Sequence, residues 1–124
     1  QHHSSAASDV YKRQILESSK QFVTLTPSKE SALENANIVT TDVWTSMNSN
    51  SQTKEKEEIF KDFFVSPEDM KKASENAIFL HCLPAHRGEE ITSDMLEDQS
   101  AKVWVQAENR MHVQQAILEF LLLD

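Results

Sequence analysis

Two short runs, Ile38-Val39-Thr40-Thr41 and Ile78-Phe79-Leu80-His81, have the β-branched and aromatic character of strands, and the stretches around them are patterned for helix. Phe22-Val23-Thr24-Leu25-Thr26 alternates as a strand would, and Lys102-Val103-Trp104-Val105 reads as a last one. Pro27-Ser28 stops the first run and starts a helix through Asn35, while Gln52 to Phe63 reads as a solvated helix whose C-terminal end docks. Ser66-Pro67-Glu68-Asp69 gives an N-cap, a proline and two acids in the first turn of a helix reaching about Ser74. Thr92-Ser93-Asp94 caps a short helix, and Glu108 opens a terminal one. In that last helix Val113, Ile117, Phe120 and Leu121 recur at i, i+4, i+7 and i+8, a face expected to meet the core. Strands alternating with helices imply an α/β fold, three-layer α/β/α around a parallel sheet.

The folded domain occupies residues 15–124 in this reading. Gln1 to Gln14 mix His2, His3, serines and scattered charge without period, and are read as a disordered leader whose composition also suits a foreign segment. At 14.2 kDa the chain fits one domain, small for an enzyme with two substrates. A net charge of −8 without a long basic run argues against a nucleic-acid surface. No run approaches the ~20 apolar residues of a membrane span, so a cytoplasmic protein is expected. The single cysteine permits no internal disulfide, which suits a reducing compartment. The single glycine excludes a GxGxxG or Walker-type phosphate loop, so no nucleotide cofactor is expected.

Chemistry concentrates between Phe79 and Glu90, where the only cysteine and the only glycine stand with His81, His86 and Arg87. Pro84 forbids regular pairing, so Cys82 and Leu83 belong where a buried strand ends. Ligands bind at such ends in open α/β sheets. By itself Cys82 reads as a small apolar core residue; the functional alternative, beside His81, Arg87 and Arg110, is a thiol with thiolate character. His81, Cys82 and His86 also have the atoms of a zinc site, but no second ligand pair with suitable spacing accompanies them, and His86 reads better as a loop surface residue. Asp42 ends the earlier run ahead of Trp44, Ser46 and Met47, offering a carboxylate, a hydroxyl and an apolar wall to an ammonium ligand; its bland reading is a turn aspartate. Arg110 alone reads as a surface arginine of the terminal helix.

Together, Asp42-Val43-Trp44-Thr45-Ser46-Met47, His81-Cys82-Leu83-Pro84 and Ala107-Glu108-Asn109-Arg110 closely resemble the ornithine carbamoyltransferases in identity, order and spacing. The resemblance runs from about Val23 to the C-terminus and covers the second, Rossmann-like, ornithine-binding domain. The family's phosphate loop and His-Pro-x-Gln motif belong to its first domain and have no counterpart in this sequence. The resemblance implies transfer of a carbamoyl group from carbamoyl phosphate to the δ-amine of L-ornithine, giving L-citrulline and phosphate in arginine metabolism, with no cofactor and no metal. It implies that Asp42, Ser46 and Met47 hold ornithine, that Cys82, Leu83 and Arg110 face carbamoyl phosphate, and that His81 and Pro84 support them, with Cys82 and Arg110 as the catalytic pair. Family members of full length are homotrimers. Asn48 stands where the family usually has glycine in a loop that closes over ornithine. Two rival readings are a carbamoyltransferase for another amine, such as putrescine or N-acylated ornithine, and a truncated amino-acid-binding domain without catalysis.

Overall fold

The computed structural model describes residues 14–44 and 58–123. Two strands, β1 (Ile38–Thr41) and β2 (Ile78–His81), pair in parallel with Ile38 opposite Ile78 and Thr41 opposite His81. Both occupy the predicted residues. Helix α1 (Lys29–Leu33) leads into β1, α2 (Pro67–Met70) precedes β2, and α3 (Val103–Leu122) closes the chain after a 3-10 turn at Met95–Glu97.

Local chemistry accounts for the helix starts. Ser28 Oγ accepts the Ser31 N–H at 3.1 Å and begins α1, and Asn35 leaves that helix at φ +59°, a conformation asparagine tolerates. At α2 the Ser66 hydroxyl accepts the Asp69 N–H while the Asp69 carboxylate accepts the Ser66 N–H, a reciprocal capping box. Asp69, almost fully buried, also takes Lys29 Nζ at 3.1 Å and so fastens α1 to α2, while Lys29 lies 4.3 Å from the centroid of Phe64. The helix does not reach Ser74: bonds from Lys72 N to Asp69 O and from Ala73 N to Met70 O tighten the chain into turns after Met70.

Phe79, Ile91, Met95 and Val103 are fully buried and form the core with Val39, Val65 and Met70. Val65 makes a single bridge to Ile91, with Val65 N on Glu90 O at 2.9 Å and Thr92 N on Val65 O at 3.0 Å. This rung carries the loop after β2 back against the core and takes Glu90 inside with it.

Two expected strands are absent. Residues 23–26 have no strand structure, and Phe22 and Leu25 are exposed: alternation gives a strand only where a ladder accepts it. At 102–105 the sheet contact is one bridge from Ala101 to Phe79, with Lys102 N on Phe79 O, and α3 then begins at Val103, ahead of the expected Glu108. The good helix formers after Val105 extend the helix backwards over the short β-branched run. The predicted core face of α3 is also corrected. Val113, Ile117, Phe120 and Leu121 are all more than half exposed, and Val103 is the helix's only buried residue, because only its first turns reach the sheet. Of the expected helix over 52–63, residues 58–60 are helical and 52–57 lie outside the described residues.

Candidate active site at the strand ends

The parallel pairing of β1 with β2 brings the ends of both strands to one edge, so the residues that follow them meet. Cys82 Sγ donates to Asp42 Oδ1 at 3.1 Å, across forty positions of sequence. Asp42 also accepts its neighbour's Val43 N–H at 2.8 Å. These bonds, the thiol first, hold the Asp42 carboxyl below its ordinary range. The same bond stabilises the neutral thiol, and with desolvation and the Asp42 charge it raises the Cys82 pKa, against a smaller opposing pull from Arg110. The expected thiolate character is therefore corrected: beside a carboxylate, Cys82 is held as a thiol. Nor is it a buried core residue, since it is exposed. Arg87 is turned away from it, gripping Glu97 with both guanidinium ends at 2.7 and 2.6 Å and donating to Ser93 O.

His81 is buried and held at both ring nitrogens. Nδ1 accepts the Leu83 N–H at 2.9 Å, so the ring proton stands on Nε2 and is donated to Glu90 Oε1 at 3.2 Å. The His81 N–H, on the side away from β1, donates to Gln106 Oε1 at 3.0 Å and so ties α3 to the strand end. Leu83 takes φ +55°, a left-handed backbone that costs a leucine about 1–2 kcal/mol. The bond to His81 holds it there. The Leu83–Pro84 peptide is cis.

Gln106 and Arg110 are four residues apart on α3 and share a face. Anchoring Gln106 on His81 therefore swings Arg110 over the same edge, where Cys82, Leu83, Pro84, Arg110 and Met111 line an open cleft. Of the residues singled out in the sequence, Asp42, His81, Cys82, Leu83, Pro84 and Arg110 come together here. Ser46 and Met47, with Asn48, lie outside the described residues. Sequence reasoning missed Glu90 and Gln106. A glutamate in a polar loop reads as solvated, and nothing in the sequence marks that Glu90 is buried under His81.

The sequence pattern described as "Aspartate/ornithine carbamoyltransferase, Asp/Orn binding domain" matches residues 3–121. The chain belongs to this family. The match begins well ahead of Val23, where the motif resemblance starts. Among relatives named ornithine carbamoyltransferase, that of Bordetella avium is 51% identical over 92 residues, covering 74% of this chain and 29% of the relative. That of Hydrogenovibrio crunogenus is 41% identical over 108 residues, covering 87% and 36%. The crystal structure of ornithine carbamoyltransferase from Burkholderia thailandensis superimposes with a TM-score of 0.72 at 42% identity, covering 86% of this chain and 32% of that one. The α/β fold of the family is thereby shown, and this chain spans about a third of the length of its relatives. Among the described residues no helix is long and apolar enough to cross a membrane.

Proposed function

We propose that this chain supplies the ornithine-binding half of a carbamoyltransferase that converts L-ornithine and carbamoyl phosphate into L-citrulline and phosphate. The observation that carries the reading is the Cys82–Asp42 contact, which joins two of the family motifs at the edge where a parallel sheet binds ligands. The Asp42 carboxylate, kept ionised, attracts an ammonium group of the amino acid, and Ser46 and Met47 complete that end of the site. Arg110 presents a planar set of donors to the carbonyl or phosphate oxygens of carbamoyl phosphate.

In the reaction the neutral δ-amine attacks the carbamoyl carbon, a C–N bond forms, and an oxyanion develops before the C–O bond to phosphate breaks. Fixed donors such as Arg110 stabilise that charge, and the site's remaining work is to align two substrates. Held as a thiol by its 3.1 Å bond to Asp42, Cys82 is not a base in this scheme, and the proton leaving the amine goes to the departing phosphate. Carbamoyl-phosphate binding in full, and the trimer in which such enzymes act, belong in this proposal to the part of the family's length that this chain does not span.

A melting experiment tests the binding half. Millimolar L-ornithine is expected to raise the melting temperature by several degrees, and putrescine, which has no α-amino acid end, by less. Equal or larger stabilisation by putrescine would contradict the ornithine assignment. Stabilisation by neither would leave no support for an amino-acid site in this chain.

A further inference from the structure

Behind His81 lies a second cluster that the carbamoyl-transfer reading does not use. Glu90 is fully buried, and its two carboxylate oxygens have different fates. Oε1 accepts the His86 N–H at 2.6 Å and faces His81 Nε2 at 3.2 Å. Oε2 has no hydrogen-bond partner among the described residues, and neither has Glu89 Oε2, which is likewise shielded from solvent. Both orphaned oxygens face one imidazole atom: His86 Nδ1 stands 3.6 Å from Glu89 Oε2 and 4.0 Å from Glu90 Oε2, too far for good hydrogen bonds. The three groups offer one ligand atom each, all within 4.8 Å of one another.

Two carboxylate oxygens withdrawn from water without partners are stabilised by a positive charge between them. Around a zinc-sized ion with bonds of about 2.1 Å, tetrahedral ligand atoms stand about 3.4 Å apart. The observed separations reach that value by a small swing of the half-exposed Glu89 and His86 side chains. Glu90 needs no movement, because its Oε1 bonds already fix the carboxylate with Oε2 toward the imidazole, as hydrogen bonds to ligating carboxylates commonly do. The turn is shaped for this convergence: Gly88 sits at φ +88°, and its N–H on Ile91 O at 2.7 Å folds Glu89 and Glu90 back over His86.

We propose that His86 Nδ1, Glu89 Oε2 and Glu90 Oε2 form a three-ligand site for a first-row divalent cation, with a further position open to solvent on the exposed side of His86. One imidazole and two carboxylates suit ions of intermediate hardness such as Zn2+ or Co2+. The site differs from a His81–Cys82–His86 set, since His81 Nδ1 is occupied by the Leu83 N–H and Cys82 is bonded to Asp42.

Calorimetric titration of the whole chain with Zn2+ alone tests it, in the wild type and in Cys82→Ser, Glu89→Gln and His86→Ala variants whose melting curves confirm folding. One-to-one binding retained by Cys82→Ser and weakened at least tenfold by both Glu89→Gln and His86→Ala is expected. Glu89→Gln is an isosteric change at a half-exposed position, so its effect separates ligation from folding. Three results would overturn the proposal. One is no binding up to millimolar Zn2+, the orphaned oxygens then being served by water. Another is binding lost in Cys82→Ser. The third is binding that survives both loop substitutions, as at His2 and His3.

Discussion

At the scale of single residues, the site depends on one hydrogen bond between a thiol and a carboxylate. Asp42 sets the protonation of Cys82 and is set by it in turn, so each residue's chemistry changes when the other is removed. Asp42→Ala removes both the acceptor and the charge that favour the neutral thiol. Alkylation of Cys82 by iodoacetamide near pH 8 is expected to speed up several-fold in that variant, because the thiol's pKa falls and more thiolate is present. An unchanged or slower rate would contradict the account. The sequence located both residues at strand ends but misjudged the thiol's state, because that state depends on a partner forty positions away and on which way Arg87 turns. Arg87 reaches Glu97, not Cys82.

At the scale of elements, the strands β1 and β2 were legible because compact apolar runs and Pro84 mark them, and α2 because Ser66 and Asp69 spell a capping box. The run at Lys102 to Val105 was not, since a short apolar stretch suits a buried strand and a helix start equally, and packing against Phe79 decides between them. The contact between α1 and α2 rests on the buried Asp69, whose carboxyl burial pushes up and the bonds from Ser66, Lys29 and Lys72 bring down, the net result being a lowered pKa. Asp69→Ala leaves the largely buried Lys29 without its partner and breaks the cap, and is expected to cost about 3 kcal/mol in urea unfolding. A depressed carboxyl pKa means that the folded form binds the proton less readily than the unfolded chain. The stability from Asp69 is therefore full above about pH 4, the unfolded carboxylate value, and lost as pH falls through the lower folded one. An acid titration of the wild type and Asp69→Ala should show the two stabilities converging below pH 4. Curves that stay parallel through that range would show that the carboxylate is not what holds α1 to α2.

At the scale of the molecule, the parallel α/β plan and its binding edge follow from alternating strands and helices, while the amphipathic pattern of α3 misled. Periodicity identifies a face that wants cover without saying whether this domain supplies it, and Phe120, Leu121 and Leu122 are left largely exposed. The chain spans about a third of its relatives' length, and the site described here contacts ornithine and one side of carbamoyl phosphate in the proposed reading. The purified chain, given ornithine and carbamoyl phosphate, is expected to make no citrulline above the uncatalysed background; measurable turnover would show that these residues complete a phosphate site unaided. Ornithine binding is the more direct question, because it needs only the edge formed by Asp42 and its neighbours. The decisive measurement is a calorimetric titration of the chain with L-ornithine beside the Asp42→Ala variant. Saturable binding that the substitution weakens at least tenfold is the predicted result, and no binding, or binding indifferent to Asp42, would contradict an ornithine site at the strand ends.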